Sequence, residues 1–84
     1  MNNAQKKTLV AIFAEPTSGT IAWSSIESLL LSVGCKVIEG KGSAVRFDLN
    51  GVVGFFHRPH PSKDAKKYQV RNAREYLTKI GIQP

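Results

Sequence analysis

The chain has 84 residues, a length that fits one domain with a single small hydrophobic core. Hydrophobic residues make up 42% and charged residues 21%, a balance that is typical of globular proteins and argues against intrinsic disorder. Lys and Arg number 12 against 6 Asp and Glu, and the resulting net charge of +6 favours a polyanionic or acidic partner.

Cysteine content and hydropathy indicate the cellular compartment in which we expect the protein. The single cysteine, Cys35, cannot form an internal disulfide bond, and no second cysteine is present to complete a metal cluster. The segment after Met1 has no apolar signal core, and the longest apolar runs, such as LVAIFA, fall far short of the about 18 residues that span a bilayer. We therefore expect a soluble cytoplasmic protein with no membrane contact.

The N-terminal part of the chain predicts a first helix. Asn3 can cap it, and it runs to about Glu15, because Pro16 disfavours the helical conformation of the residue before it. A turn cluster, PTSGT, follows. The apolar stripe of this helix consists of Leu9, Ile12 and Phe13.

A second helix is predicted to begin at Ser24, because Ser24 and Glu27 have the spacing of a capping box. Gly34 supplies a left-handed stop. Trp23, just before the cap, is expected in the core. The apolar stripe has helical spacing and consists of Ile26, Leu29, Leu30 and Val33.

A β-hairpin is the strongest local signal. Asn50-Gly51 lies between two runs of strand-forming residues, and both residues tolerate the positive φ of a type I′ turn. With these two as the loop, Leu49 faces Val52 and, at the far end, Ala44 faces His57. Two further pairs lie on the same side of the hairpin as Leu49: Phe47 with Gly54, and Val45 with Phe56. Two pairs lie on the same side as His57: Asp48 with Val53, and Arg46 with Phe55. We expect the Leu49 side in the core and the function on the His57 side.

The remaining elements flank the hairpin. The segment from Cys35 to Glu39 alternates weakly and predicts a short strand, which Gly40-Lys41-Gly42 connects to the hairpin. After Pro61, the basic loop SKDAKKYQ leads to a last helix from about Gln69 to Ile80, which Gly81 ends. Its inward residues are Val70, Ala73, Leu77 and Ile80.

The order of elements predicts an α+β fold. Three antiparallel strands form one sheet with the helices on one face, so that the other face stays partly open. The layout αβββα, preceded by an extra N-terminal helix, is that of a double-stranded-RNA-binding domain.

Two segments resemble the HicA family of small bacterial toxins. SGTIAWSSIESLLLSVGCKVIEGKGS is similar to the family's opening helix and the G-S turn into its second strand, and FFHRPHPSKDAKKYQVRNAREYLTKIGI to its closing H-P segment, basic loop and C-terminal helix. The resemblance covers about residues 18–82 and makes 1–84 a single HicA-like domain, with 1–17 as an N-terminal helical extension. It implies a double-stranded-RNA-binding-like fold, an endoribonuclease that cleaves messenger RNA without metal or cofactor and arrests growth, and a HicB-type antitoxin.

One position departs from the family pattern. Many HicA proteins follow the G-S with a histidine that is taken to be catalytic, whereas here Gly42-Ser43 is followed by Ala44, which cannot transfer a proton. Three explanations account for the alanine at this position. It is an engineered change that inactivates the protein, the mark of a family branch that works with another histidine, or a sign that the chain is an inactive binder. Ala44 faces His57 in the predicted register, so an imidazole on either strand occupies nearly the same spot.

Cleavage of RNA without a metal ion needs a base for the 2′-OH proton, an acid for the leaving 5′-oxygen and cations for the phosphorane. Histidine can do either proton transfer near neutral pH. His57 and His60 are therefore the candidate catalysts, although His57 can also serve only to bind phosphate and His60 only to pack at the strand end. The candidate RNA contacts share a positive charge and are Arg46, Arg58, Lys66, Lys67, Arg71 and Arg74.

No metal site is expected, because two histidines three residues apart with no adjacent carboxylate form an incomplete ligand set.

Two classes of function stay open. The chain is either an endoribonuclease toxin or a catalytically inactive module that binds RNA or its antitoxin.

Overall fold

The computed structural model describes residues 1–84 and contains three helices and three strands. The elements are α1 (Asn3–Phe13), α2 (Trp23–Ser32), β1 (Lys36–Glu39), β2 (Ala44–Leu49), β3 (Val52–His57) and α3 (Lys67–Lys79). The strands form one antiparallel sheet in the order β1-β2-β3, and the helices pack on one face of it. The predicted α+β fold, with the layout of a double-stranded-RNA-binding domain, is confirmed.

The pairing of β2 with β3 follows the register predicted from Asn50 and Gly51. Leu49 pairs with Val52 at the turn, and Ala44 pairs with His57 at the far end. Asn50 and Gly51 have φ of 52° and 86°, the positive values that the type I′ turn requires. Since side chains alternate along a strand, this register decides which residues lie on the uncovered face.

The core lies between the sheet and the helices, and aromatic rings form its centre. Phe47 and Phe56 of the sheet meet Trp23 of α2 and Tyr76 of α3, with ring centroids between 5.5 and 6.4 Å apart. Gly54 lies under the Tyr76 ring, where an added Cβ would come within 2.8 Å of the Cδ1 atom of Tyr76. The tyrosine therefore requires glycine at this point of β3. From α1, the same core includes Leu9 and Ile12.

The bounds of α1 differ from the prediction at both ends. Its N-cap is Asn2 rather than Asn3, because the Asn2 side chain accepts a hydrogen bond from the Gln5 amide at 2.9 Å and the Gln5 side chain accepts one from the Asn2 amide at 2.8 Å. This reciprocal pair is a capping box. The helix ends at Phe13 rather than Glu15, with Ala14 already in an extended conformation.

The predicted capping box of α2 is wrong. The helix begins at Trp23, and its N-cap, Ala22, makes no side-chain cap. The Trp23 amide donates instead to the carbonyl oxygen of Lys63 at 2.9 Å, so a distant segment holds the start of the helix. Glu27 is not free to complete a box with Ser24, because its carboxylate accepts a hydrogen bond from Trp23 Nε1 at 2.9 Å. The predicted end is right, since Gly34 has φ of 104°.

Three further boundaries shift by one or two residues. α3 begins at Lys67 rather than Gln69, because the buried side chain of Gln69 accepts a hydrogen bond from the Lys66 amide at 2.8 Å and ties down the first turn. It ends at Lys79 rather than Ile80. β1 begins at Lys36, one residue after the predicted start. None of the helices combines the length and the hydropathy needed to cross a membrane.

Candidate functional site

The face of the sheet that no helix covers, called the open face below, carries eight side chains on three adjacent strands. Three rows cross it: Lys36, Asp48 and Val53 in the first, Ile38, Arg46 and Phe55 in the second, and Ala44 with His57 in the third. Arg46, Phe55 and His57 are exposed. A cation, an aromatic ring and an imidazole thus lie together on a flat surface.

His57 is the last residue of β3, and its backbone is held from two sides. Its carbonyl oxygen accepts a hydrogen bond from Gln69 Nε2 at 2.6 Å, which connects the strand end to the first turn of α3. On the other side, the amide of Arg58 donates to the carbonyl oxygen of Ser43 at 2.8 Å. His57 therefore presents an exposed side chain on a fixed backbone, directly opposite the small side chain of Ala44.

His60 lies three residues further, in the connection between β3 and α3, and it is exposed as well. It lies beyond the last strand pair, Ala44 with His57. Of the two histidines, only His57 belongs to the sheet.

The guanidinium of Arg58 is bound by two carboxylates of the chain itself. Its Nε and Nη2 atoms donate to Glu27 at 3.0 and 3.2 Å, and its Nη1 and Nη2 atoms donate to Glu39 at 2.6 and 3.0 Å. Hydrogen bonds to Glu39 and then Glu27 raise the pKa of Arg58 above its usual range, and the hydrogen bond from Arg58 lowers the pKa of the Glu39 carboxyl. Arg58 thereby joins α2, β1 and the segment after β3.

Arg74 is likewise engaged within the chain, at the end of α1. Its Nε donates to the carbonyl oxygen of Ile12 at 3.0 Å, its Nη2 donates to that of Ala14 at 3.2 Å, and it forms an ion pair with Glu15. These carbonyls are among the groups that a helix C-terminus leaves without partners. The structure thus assigns Arg74 to the packing of α3 on α1.

The other cations singled out from the sequence are exposed, and none belongs to an ion pair of the fold: Arg46, Lys66, Lys67 and Arg71. Arg46 contacts the aromatic ring across the sheet, with its Cζ atom 6.0 Å from the centroid of Phe55. Two of the six predicted RNA contacts are therefore neutralised by neighbouring carboxylates, and four are not.

Residues 23–82 match the model of a protein family described as the HicA toxin of bacterial toxin-antitoxin systems. The chain belongs to the HicA toxin family. The matched region begins with α2 and extends beyond α3, so it contains the whole open face and both histidines. The family resemblance noted from the sequence is confirmed. No curated protein and no solved structure matches the chain.

Three residues that shape the site of this HicA family member escaped sequence reasoning: Glu27, Glu39 and Gln69. A weak signal existed for Gln69, since a glutamine three residues after the N-cap of a helix can bond back to the cap. No signal existed for the two glutamates, because Arg58 lies 31 and 19 residues away from them along the chain. The structure brings together no group of three or more His, Cys, Asp or Glu side chains that could hold a metal ion.

Proposed function

We propose that this HicA family member is a metal-independent endoribonuclease that cleaves messenger RNA, and that a HicB-type antitoxin neutralises it. One observation carries the proposal. In a chain of a toxin family, the open face holds an exposed imidazole, that of His57, on the same surface as an unneutralised guanidinium, that of Arg46.

The open face supplies two of the groups that the proposed reaction needs, one imidazole and one guanidinium. The 2′-oxygen of a ribose attacks the adjacent phosphorus, the bond from phosphorus to the 5′-oxygen breaks, and a cyclic phosphate and a 5′-hydroxyl result. A base takes the 2′-OH proton and an acid protonates the leaving oxygen. We assign one of these proton transfers to His57, and His60 is the alternative residue for that same transfer. Arg46 balances the charge that develops on the phosphorane.

The RNA strand is proposed to extend from the open face to the start of α3. Lys66, Lys67 and Arg71 are exposed there and have no carboxylate partner, so they can neutralise phosphates. Arg58 and Arg74 support the site through the fold, since Glu27, Glu39 and Glu15 already balance their charges.

An antitoxin that blocks this activity has to compete for the same surface. The free cations and the net charge of +6 favour a partner that covers the open face with acidic groups in place of phosphates. A HicB-type protein encoded beside this chain is the proposed partner.

Ala44 favours a second candidate function. It occupies the position after Gly42-Ser43 where many HicA proteins have a histidine, and a methyl group cannot move a proton. If neither His57 nor His60 replaces that histidine, the chain is an inactive module that binds RNA or only its antitoxin.

Induced expression separates the two candidates. The chain is expressed in a bacterium alone and together with the neighbouring antitoxin, and growth and transcript length are followed. A ribonuclease arrests growth and shortens messages in the first case only, and the purified protein cleaves RNA in the presence of EDTA. Normal growth with intact messages, at verified expression of folded protein, supports the inactive module.

A further inference from the structure

Phe55 is an aromatic residue that the fold does not use. Its side chain is 69% exposed and lies in the second of the three rows that cross the open face. The aromatic cluster of the core lies on the opposite side of the sheet. Leaving an apolar ring of this size in water forgoes the stabilisation that its burial would give. A binding role accounts for the exposed ring better than the fold does.

The surroundings of Phe55 indicate the kind of partner. Arg46, its direct partner on β2, has its Cζ atom 6.0 Å from the ring centroid and belongs to no ion pair. Ile38 continues the same row on β1. An aromatic face beside an unneutralised guanidinium is the combination that binds a nucleobase and its phosphate.

The position of the ring relative to His57 is set by the strand. The two residues are two apart on β3 and point to the same face, so their side chains leave the backbone about 7 Å from each other. A base stacked on Phe55 therefore brings the adjoining ribose and phosphodiester toward the imidazole. The ring and the proposed proton carrier can hold neighbouring parts of one nucleotide step.

We propose that Phe55 is the stacking platform for one unpaired base, and that the substrate of this HicA family member is therefore single-stranded RNA. This inference rests on the proposed ribonuclease function. In a duplex, the faces of the bases are covered by their neighbours in the stack, so a duplex cannot use this platform. A protein partner is less well matched, because the apolar row is interrupted by the free charge of Arg46.

The test uses a fluorescent 2′-O-methyl oligoribonucleotide of mixed sequence, which cannot be cleaved through its 2′-oxygen. Its affinity is measured as a single strand and annealed to its complement, for the native chain and for Phe55→Ala, Phe55→Leu and Phe55→Tyr. Leu31→Ala is the matched control, because Leu31 is also a large apolar side chain, 49% exposed, but it belongs to α2 and lies on the other side of the sheet from the open face. Circular dichroism checks that each variant is folded.

We expect Phe55→Ala and Phe55→Leu to weaken single-strand binding about tenfold, since one base–aromatic stack is lost. Phe55→Tyr retains the ring and the affinity, and Leu31→Ala has no effect. The native chain binds the duplex more weakly, and Phe55→Ala does not change that value.

Three results would overturn the inference. If the native chain binds the single strand and Phe55→Ala binds it equally well, the platform is wrong while the ribonuclease proposal stands. If Phe55→Ala loses affinity only for the antitoxin, the ring belongs to a protein interface. If the native chain binds no RNA at all, the inference and the proposed function are both wrong.

Discussion

Gln69 donates a hydrogen bond from its side-chain amide to the carbonyl oxygen of His57, with 2.6 Å between the two atoms. The same side chain accepts a hydrogen bond from the Lys66 amide at 2.8 Å, and it is 2% exposed. One buried amide thus fixes the end of β3 against the first turn of α3. The orientation of the His57 side chain depends on this connection, since the backbone that carries it is held there.

Gln69→Leu should lower the free energy of unfolding by about 1–3 kcal/mol, because it leaves the Lys66 amide and the His57 carbonyl without a partner. Urea denaturation measures this loss. Asn72→Ala, an exposed position on the same helix, is the control and should change stability by less than about 0.5 kcal/mol.

The positioning role of Gln69 has a separate readout. At a temperature where Gln69→Leu is fully folded, the cleavage rate at saturating RNA should fall while the affinity for RNA is retained. An unchanged rate in the folded variant would mean that the hydrogen bond supports only the fold.

Arg58 should behave as a structural residue. Arg58→Ala removes hydrogen bonds to both Glu27 and Glu39 and should cost about 1–3 kcal/mol of unfolding free energy. Arg71→Ala, which removes an exposed and unpaired guanidinium, should cost less than about 0.5 kcal/mol. Equal stabilities of the two variants in urea would show that the pairing with the glutamates contributes nothing.

The two arginines of α3 should separate binding from folding. Arg71→Glu should weaken RNA binding without loss of stability, whereas Arg74→Glu should destabilise the chain, because it breaks the contacts with Ile12, Ala14 and Glu15.

In the native chain, the affinity for RNA should fall about tenfold or more between about 50 and 200 mM salt if three or more phosphates are neutralised. Arg71→Glu should flatten this dependence. An affinity that ignores salt would rule out phosphate neutralisation.

The hairpin could be predicted in full from the sequence, because its register depends on local chemistry. Asn50 and Gly51 admit one tight turn, and counting from it correctly paired Ala44 with His57 thirteen residues away. The family resemblance rested on the order and spacing of segments and needed no tertiary contact.

Local sequence patterns do not predict the contacts that distant residues decide. Glu27 has the spacing of a cap to Ser24, yet its carboxylate binds Trp23 and Arg58. The part that Arg74 plays depends on where α1 packs, which no local pattern records. The net charge of +6 was visible in the sequence, but not which of its cations the fold neutralises.

A histidine at position 44 should raise the activity. Ala44→His would set a second imidazole about 5 Å from His57 across the strand pair, so that one can act as the base and the other as the acid. Ser43→His adds an imidazole one residue away, outside the paired strand, and is the control. The cleavage rate of the first variant should exceed that of the native chain, and that of the second should not. Equal cleavage rates for both variants would argue against the idea that a histidine at position 44 and His57 act at the same place on the open face.

The proposed role of His57 is tested most directly by the rate at which the purified chain cleaves single-stranded RNA in EDTA, compared between the native protein, His57→Ala and His60→Ala. His57 is exposed, so His57→Ala should keep its stability within about 1 kcal/mol and still bind RNA. We expect cleavage to be lost in His57→Ala while RNA binding persists. Cleavage at the native rate by folded His57→Ala would contradict the assignment, and its loss in His60→Ala alone would transfer the role to His60.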